Sequence, residues 1–273
     1  MTISVNTNIV AMQAYRGLSA TTTALGKSMQ KLATGVRINS AADDAGGLAL
    51  VTRMNAQIRG WNQAVMNVND GISLLDVADA ALEETANAIQ SIRDMAVEAA
   101  NASLSATDRT ALDDQVTELE GLINDLADDT KYNGTVLLDG TFTSQDFQIG
   151  PNNGDTLTIS LSTDADMTGL GFTTSDVSSV ANASSTIDSA DDALDALNGI
   201  RATIAGYTSR FEAIVNTANA TADAYTLARS NIYDTDVAAE SANLAKTSII
   251  QQAGISVLAQ AKMQPQLLLK LLE

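Results

Sequence analysis

The chain has no histidine, no cysteine, only two prolines and few aromatic residues, and each shortage excludes a class of chemistry or structure. Without histidine there is no Ser-His-Asp or Cys-His catalytic site and no zinc site built on imidazole ligands. Without cysteine there are no disulfides and no thiol chemistry. Two prolines in 273 residues, with aromatics at 4%, favour long helices packed through Ala, Leu and Ile. We therefore expect a mostly α protein.

Acidic residues are absent from the first 42 residues, although the formal net charge of the chain is -18. Together, residues 1–42 and 237–273 hold seven basic and two acidic side chains, a net charge of +5. The remaining 43–236 hold eight basic and 31 acidic side chains, a net charge of -23. This distribution predicts a solvated acidic body and two ends that are buried in the functional protein.

Targeting and membrane signals are also missing. Residues 1–6 lack the basic region followed by an apolar core that marks a cleavable signal peptide. The longest purely apolar runs are far shorter than a membrane span. If the protein leaves the cell, we expect export without a cleaved signal peptide, and we expect no membrane span and no nucleic-acid partner.

Three stretches repeat apolar residues at alternating spacings of three and four, which is typical of helices that pack side by side at a shallow angle. They cover residues 61–96, 112–126 and 197–232. The second follows a Ser-Ala-Thr-Asp sequence at 105–108 that suits a helix N-terminus. These runs predict a long, coiled-coil-like bundle of three or more helices.

The period changes between the second and third runs. Residues 147–149 and 156–161 alternate every second residue, and the intervening 150–155 are rich in turn-forming residues. They predict a small β-hairpin region in the middle of the chain. Residues 162–190 are mainly Ser, Thr, Asp and Ala, a composition that predicts an exposed loop or weak structure.

The two ends carry the same helical periodicity without a charged face. In 18–36 and 250–261 the polar positions are mostly Thr, Ser, Asn and Gln, which can hydrogen-bond in a crowded interface at less desolvation cost than charges. Ordering a residue costs roughly 1–2 kcal/mol of backbone entropy, and one helix pair has too little apolar surface to offset that cost. We therefore expect the ends to need contacts with other subunits.

Two long blocks, one near each end, carry specific motifs. The first reads LATGVRINSAADDAGGL at 32–48, then IRG at 58–60 and NVNDGIS at 67–73. The second reads ARSNIYDTD at 228–236, IQQAG at 250–254, LAQA at 258–261 and PQ at 265–266. In order and at both ends, these motifs closely resemble bacterial flagellin, and the resemblance covers nearly everything except about residues 140–190.

The resemblance implies an architecture. Residues 1–44 and 233–273 would form paired terminal helices that line the core of a helical filament. Residues 45–140 and 187–232 would form the helical body, the tube-forming domain. Residues 141–186 would form a short β-hairpin and a Ser/Thr-rich outer segment. The implied function is a structural subunit that polymerises into the flagellar filament used for swimming, with no enzymatic activity and no cofactor.

The resemblance also implies partners and a location. The partners are other copies of the chain in a helical homopolymer, the flagellar export apparatus, a flagellin export chaperone, and the cap and hook-associated proteins. The location is extracellular, in the bacterial flagellum. Thirteen residues are expected at subunit interfaces, and they are Arg37, Asn39, Ser40, Asp43, Asp44, Arg59, Asn69, Asp70, Gln251, Gln252, Gly254, Gln260 and Pro265.

Other readings were weighed against this one. Asp43 and Asp44 could be a paired-carboxylate or metal site, but a helix-start or interface role fits them better. Asp164 and Asp166 imitate the opening of a calcium loop whose twelfth position is Ser175 rather than Glu, so no metal is expected. The alternative function is a hook-filament junction protein with flagellin-like termini. An adhesive role for residues 141–190 stays open.

Overall fold

The structure is a computed structural model that describes the backbone of residues 7–272 and the side chains of residues 7–263. It is mostly helical, as predicted, with five helices and two small antiparallel sheets in this part of the chain. The elements, in chain order, are α1 (Ile9–Thr34), α2 (Ala45–Ala99), α3 (Ala106–Asp129), β1 (Lys131–Tyr132), β2 (Thr135–Val136), β3 (Phe142–Gln148), β4 (Thr156–Leu161), α4 (Val180–Tyr233) and α5 (Val237–Leu272).

The chain divides into two compact units. The first, called the terminal unit below, comprises Met1–Ala56 and Ala224–Glu273. The second, the central unit, comprises Gln57–Asp223. Both boundaries fall inside helices, one in α2 and the other in α4.

The central unit has one continuous hydrophobic core, which lies along the predicted helical seams. Ten of the eleven seam positions between Trp61 and Ala96 in α2 are buried, so the period read from the sequence is confirmed. Val116 and Ile123 of α3 join this core. From α4, its buried members include Leu197, Ile200, Ile204 and Phe211.

Two Arg–Asp pairs join α2 and α4 at the edge of this core. The Arg201 guanidinium donates to both carboxylate oxygens of Asp79, at 2.8 and 3.1 Å. Arg93 donates to Asp191 in the same way, at 2.7 and 3.4 Å. Hydrogen bonding to Asp79 raises the pKa of Arg201 above its ordinary value. Because two parallel bonds require a fixed geometry, these pairs favour one register of the two helices.

The start of α3 is confirmed at the position predicted from sequence. Ser105 is the N-cap, and its hydroxyl accepts a hydrogen bond from the backbone N–H of Asp108. The Asp108 carboxylate accepts in return from the Ser105 backbone N–H, which completes a capping box. Two otherwise unpaired donors are satisfied in this way.

The predicted hairpin is confirmed as β3 and β4, which pair antiparallel. A second, smaller hairpin, β1 and β2, was not predicted from the sequence. Its turn is Asn133–Gly134, and both residues have positive φ, of 50° and 83°. Asn-Gly is the preferred sequence for such a two-residue turn, so the local signal was present.

Residues 162–179 form no helix or strand, as their composition predicts, but the expected exposure and the expected extent to residue 190 are wrong. Helix α4 begins at Val180, and the preceding segment contributes five buried side chains to the core of the central unit, namely Ala165, Met167, Leu170, Phe172 and Val177. Two side chains of α3 hold the backbone of this segment: Asp113 accepts from the Val177 N–H at 2.8 Å and Asn124 from the Met167 N–H at 3.2 Å. The few apolar residues decide its placement, although polar residues dominate its composition.

Candidate assembly surface

The terminal unit is built around the packing of α1 against α5. Asn8 donates from Nδ2 to the Ala261 carbonyl at 2.6 Å, and Gln251 donates from Nε2 to the Thr22 hydroxyl at 3.2 Å. Partner numbers on α5 fall as those on α1 rise, so the two helices are antiparallel. The expected pairing of the terminal helices is therefore present.

Few large side chains are buried in this pair. In the described part of the terminal unit, the buried hydrophobic residues are Ile38, Val51 and Ala261. The central unit, by contrast, contains the whole of the large core cluster. The described part of the α1–α5 pair therefore has little of the buried apolar area that normally stabilises helices in water.

Large hydrophobic side chains lie instead on the surface of the terminal unit. Thirteen of the eighteen exposed large hydrophobics in the described residues belong to it. They are Ile9, Val10, Met12, Tyr15, Met29, Leu50, Leu227, Val237, Ile249, Ile250, Ile255, Val257 and Met263. An exposed set of this kind is typical of a surface that another protein covers.

The charge of the same helices is one-sided. Residues 7–42 and 241–272 contain no acidic side chain, and Arg16, Lys27, Lys31, Lys246 and Lys262 are among their basic ones. Of these, Lys27 makes an ion pair, at 3.3 Å, with Asp43 outside the helices. The remaining surface is apolar, hydroxyl or amide.

Residues 35–44, called the joint segment below, connect α1 to α2. At its start Gly35 ends α1 in the left-handed conformation, with φ 72°, and its N–H donates to the Lys31 carbonyl. Val36 then pairs with Asp234 in an isolated antiparallel bridge. Gly35 also accepts a hydrogen bond from the Thr235 N–H at 3.0 Å. The short break between α4 and α5 is thereby tied to the end of α1.

Arg37 makes the shortest side-chain hydrogen bond of the joint segment. Its Nη2 donates to the Ile232 carbonyl at 2.6 Å, and its backbone N–H donates to the Tyr233 carbonyl at 2.7 Å. These carbonyls belong to the last turn of α4, where helix carbonyls have no partner within the helix. Arg37 therefore caps the C-terminus of α4. The dipole of the helix favours a positive charge at that end.

One carboxylate oxygen of Asp43 accepts three hydrogen bonds from the joint segment. Its Oδ2 accepts from the Ser40 hydroxyl at 3.0 Å, the Ser40 N–H at 3.1 Å and the Asn39 N–H at 3.3 Å. The hydrogen bond from the Ser40 side chain, followed by that from Lys27, lowers the pKa of Asp43 below its usual range. The charged carboxylate is the form that these donors stabilise.

Asp44 lies at the N-terminus of the next helix, α2. It precedes the first residue of α2, and its Oδ1 accepts from the Gly47 N–H at 2.8 Å. This is the geometry of an N-cap. The helix-start role weighed for this acidic pair is therefore confirmed at Asp44.

The thirteen expected interface residues do not form one cluster. Arg37, Asn39, Ser40, Asp43 and Asp44 lie together in the joint segment. Gln251 and Gly254 are half-buried on the α5 side that contacts α1, whereas Gln252 and Gln260 are exposed on α5. Arg59, Asn69 and Asp70 are exposed on α2 in the central unit. The side chain of Pro265 lies outside the described residues.

Sequence reasoning missed several residues that the structure adds to this surface. Lys27 pairs with Asp43 of the joint segment, and the carbonyl of Ile232 accepts from Arg37. No local sequence motif marks either residue. Arg229 donates to the Asn55 side chain at 2.9 Å within the terminal unit, and this contact was also unpredicted. Among the described residues of α1 and α5, three exposed large hydrophobics, Met29, Ile250 and Val257, lie at positions of the predicted helical pattern. The others, such as Met12 and Ile255, were not predicted.

Residues 7–272 contain no helix that is both long and apolar enough to cross a membrane. In the same described part, no three acidic side chains are close enough to share a metal ion. A polar groove of about 450 Å³ lies beside the joint segment, lined by Arg37 and Lys31 and by Asp234, Asp236 and Glu240.

Comparison with known proteins identifies relatives of the whole chain. The family model of the bacterial flagellin N-terminal helical region matches residues 5–143, and that of the C-terminal helical region matches 187–272. A flagellin of Halalkalibacterium halodurans is 36% identical over 270 residues, which cover 98% of this chain and 99% of the relative. Flagellin D of Vibrio cholerae is 44% identical over 161 residues, which cover 59% of this chain and 43% of the relative.

Solved structures of flagellar proteins also resemble this chain. The crystal structure of Bacillus cereus flagellin has a TM-score of 0.50 and 31% identity, covering 56% of this chain and 88% of its own. A proposed flagellar hook-associated protein of Vibrio parahaemolyticus has a TM-score of 0.61 and 13% identity, covering 70% of this chain and 100% of its own. At that identity the second likeness shows a shared fold alone.

Proposed function

Because the chain belongs to the bacterial flagellin family and is a structural subunit of the flagellar filament, we propose that its terminal unit is the element that polymerises. Successive copies would meet through α1 and α5, and each copy would present different surfaces to its neighbours. Contacts of this heterologous, non-closing kind generate a helical filament rather than a closed ring.

The observation that carries this proposal is the unequal burial of apolar residues. The central unit has its own core, whereas the described part of the terminal unit exposes thirteen large hydrophobic side chains and buries few. Burial is worth roughly 25 cal/mol per Å² of apolar surface removed from water. The terminal units of neighbouring copies have no acidic side chain along 7–42 and 241–272, so these parts can cover the exposed apolar area without burying carboxylates.

The joint segment has an indirect role in this proposal. Asp43 and Asp44 use their carboxylates within their own chain, so they hold the backbone shape that a neighbouring copy would meet. Arg37 does the same through the end of α4. The exposed side chains of Gln252 and Gln260 on α5 would contact neighbours directly. An interface role of Arg59, Asn69 and Asp70, on α2 in the central unit, stays a prediction of the family resemblance and is not part of the proposed terminal contact surface.

The three-part division of the chain also belongs to the proposal. Residues 1–44 and 233–273 would line the filament core, 45–140 and 187–232 would form the tube around it, and 141–186 would face outward. The self-contained core of the central unit supports the idea that this part folds before assembly. An adhesive function of 141–190 could be added to this role without altering it.

Family membership supports the remaining partners as part of this proposal. We expect the subunit to pass through the flagellar export apparatus with a flagellin export chaperone, without a cleaved signal peptide. It would then meet the cap and hook-associated proteins and work outside the cell in the flagellum. We propose no enzymatic activity and no cofactor for it.

A hook-filament junction protein is the alternative function. Its structural support is a likeness at 13% identity, which shows the fold alone. Filament and junction proteins can share that fold, so the fold does not distinguish them. The family models and 36% identity to a flagellin over nearly the whole chain favour the filament subunit.

Seeded polymerisation tests the proposal. Purified full-length chain and a shortened chain of residues 45–232 would be mixed with filament fragments and followed by sedimentation and negative-stain microscopy. We expect long tubes from the full-length chain and soluble helical monomers from the shortened one. Small closed oligomers of the full-length chain would favour the junction protein instead.

A matched pair of substitutions locates the contact surface. Val257 on α5 and Val97 on α2 are 51% and 50% exposed, so Val257→Ser and Val97→Ser remove the same apolar surface from the terminal and the central unit. We expect Val257→Ser to raise the critical concentration for growth and Val97→Ser to leave it nearly unchanged. Equal effects would contradict the assignment of polymerisation to the terminal unit.

A further inference from the structure

All sulfur chemistry of this chain rests on methionine, because there are eight methionines and no cysteine. Of those within residues 7–263, four are exposed, at 48% for Met12, 54% for Met29, 53% for Met66 and 54% for Met263. In contrast, Met167 is buried in the core of the central unit. Exposed thioethers are the ones that oxidants in solution reach.

Three of the four exposed thioethers lie on the terminal unit. Met12 and Met29 belong to α1 and Met263 to α5, whereas Met66 belongs to α2 in the central unit. Met12 also lines a groove of about 520 Å³ together with Tyr15 and Leu258. Methionine is thus a repeated component of the apolar surface assigned above to polymerisation.

We propose that Met12, Met29 and Met263 form an oxidation-sensitive modification site, at which peroxides convert free subunits into a form that cannot join the filament. This inference rests on the proposed function of the terminal unit. In the reaction, the thioether sulfur attacks one peroxide oxygen and the O–O bond breaks. Sulfur is oxidised by two electrons to the sulfoxide, and the other oxygen leaves as water after taking up a proton.

The sulfoxide changes the chemistry of the surface without cutting the chain. It places a strong hydrogen-bond acceptor where a neighbouring copy offers mainly apolar side chains, and burying an unpaired polar group is unfavourable. We expect oxidation at the three positions to raise the critical concentration by about tenfold or more, where each tenfold step corresponds to about 1.4 kcal/mol.

The same geometry predicts protection inside a filament. Once neighbouring copies cover the terminal unit, the three thioethers are no longer accessible, whereas Met66 is not part of that surface. The vulnerable state is therefore the free subunit, before it is added. Enzymatic reduction of the sulfoxide restores the thioether and should restore assembly.

The test uses the full-length chain and hydrogen peroxide as the probe. Free subunits are treated, the peroxide is removed, and oxidation at each methionine is measured by peptide mass spectrometry before growth on filament seeds. Two variants are treated in parallel: the triple variant Met12→Leu, Met29→Leu, Met263→Leu, and the control Met66→Leu. Leucine is close to methionine in volume, so both variants should fold and grow before treatment.

The proposal expects four results. Peroxide should modify Met12, Met29 and Met263 faster than Met167, and should stop growth of the unaltered chain and of Met66→Leu. The triple variant should keep growing after treatment although its Met66 is oxidised. Methionine sulfoxide reductase should restore growth of the treated, unaltered chain.

Three results would overturn it, and they are distinguishable from one another. Continued growth of the unaltered chain after the three sites are oxidised would refute the modification site while leaving the filament function intact. Failure of the untreated chain to grow on seeds would refute the proposed function, and with it this inference. Loss of growth in the treated triple variant would place the damage at another residue.

Discussion

Gly71 of α2 lies directly against the buried ring of Phe211 of α4, and a methyl group on its Cα would come within 2.8 Å of Phe211 Cε2 and 2.9 Å of Cζ. The same ring meets Phe147 of β3 edge-on, with centroids 5.5 Å apart and an interplanar angle of 72°. Helix, hairpin and helix thus meet at one point of the central unit, where the absence of a side chain at residue 71 is a packing requirement.

Gly71→Ala should therefore destabilise the central unit. Because Phe211 is fully buried, its ring cannot move aside freely, and overpacking of this kind costs about 1–3 kcal/mol of unfolding free energy. The matched control is Gly199→Ala in α4, where the added methyl group would meet nothing within 4 Å. That change should be neutral or stabilising by about 0.5–1 kcal/mol. Urea unfolding measures both, and a Gly71→Ala protein as stable as the control would contradict the packing argument.

Arg37→Met should loosen the joint segment while leaving the central unit intact. It removes the hydrogen bond to the Ile232 carbonyl, and a bond of this type contributes about 0.5–1.5 kcal/mol. Hydrogen exchange of the Thr235 N–H, which donates to Gly35, should become faster. Arg53→Met is the control, because it removes the same charge from an exposed arginine that makes no hydrogen bond or ion pair with another described side chain. If both variants exchange alike, the carbonyl contact is not what holds the segment.

The joint segment should also weaken in acid. The pKa of Asp43 is lower in the folded chain than in the unfolded one, mainly because the Ser40 side chain donates to its carboxylate. Its stabilising effect is thus fully present above the unfolded value of about 3.9 and is lost as the pH falls through the folded-state pKa. Carboxyl NMR titration of Asp43 should show the lowered pKa directly.

Ser40→Ala checks the cause of that shift. Removing the hydroxyl should move the Asp43 pKa back toward its usual value. The backbone N–H of residue 40, which donates to this carboxylate, should then lose protection at a higher pH in the variant than in the unaltered chain. Ser19→Ala, on an exposed position of α1, should leave the titration in place. An unchanged pKa in Ser40→Ala would show that Lys27, not Ser40, dominates.

Stability within the free subunit should be uneven. Because the described parts of α1 and α5 bury few large side chains, their amides should exchange in the free chain at opening free energies well below that of global unfolding. Amides in α2 beside Leu75, Leu82 and Ile89 should exchange only on global unfolding of the central unit. Hydrogen exchange by mass spectrometry, repeated on filaments, should find strong protection gained in α1 and α5. Equal protection of α1, α5 and α2 in the free chain would contradict the core argument.

Local sequence patterns determined a large part of the architecture. The three-and-four spacing from residue 61 to 96 identified the buried face of α2, because side chains at those intervals share one side of any α-helix. Ser105 and Asp108 located the start of α3, since capping needs partners only three residues apart. The alternation around a turn-rich segment located β3 and β4 for the same short-range reason.

Tertiary packing decided what those patterns left open. Phe172 and Val177 lie in a segment whose polar composition predicts a loop, yet the core of the central unit had room for them and fixed the segment. Arg37 finds its acceptor at Ile232, 195 residues along the chain, a pairing that no local spacing encodes. Which apolar residues of α1 and α5 stay exposed also depends on how the two helices meet. The sequence alone thus determines the family, the helical periods and the acid-free ends, because these depend on residue identity and short spacing. Only the folded chain decides which distant groups satisfy one another and which apolar side chains are left for a neighbouring subunit.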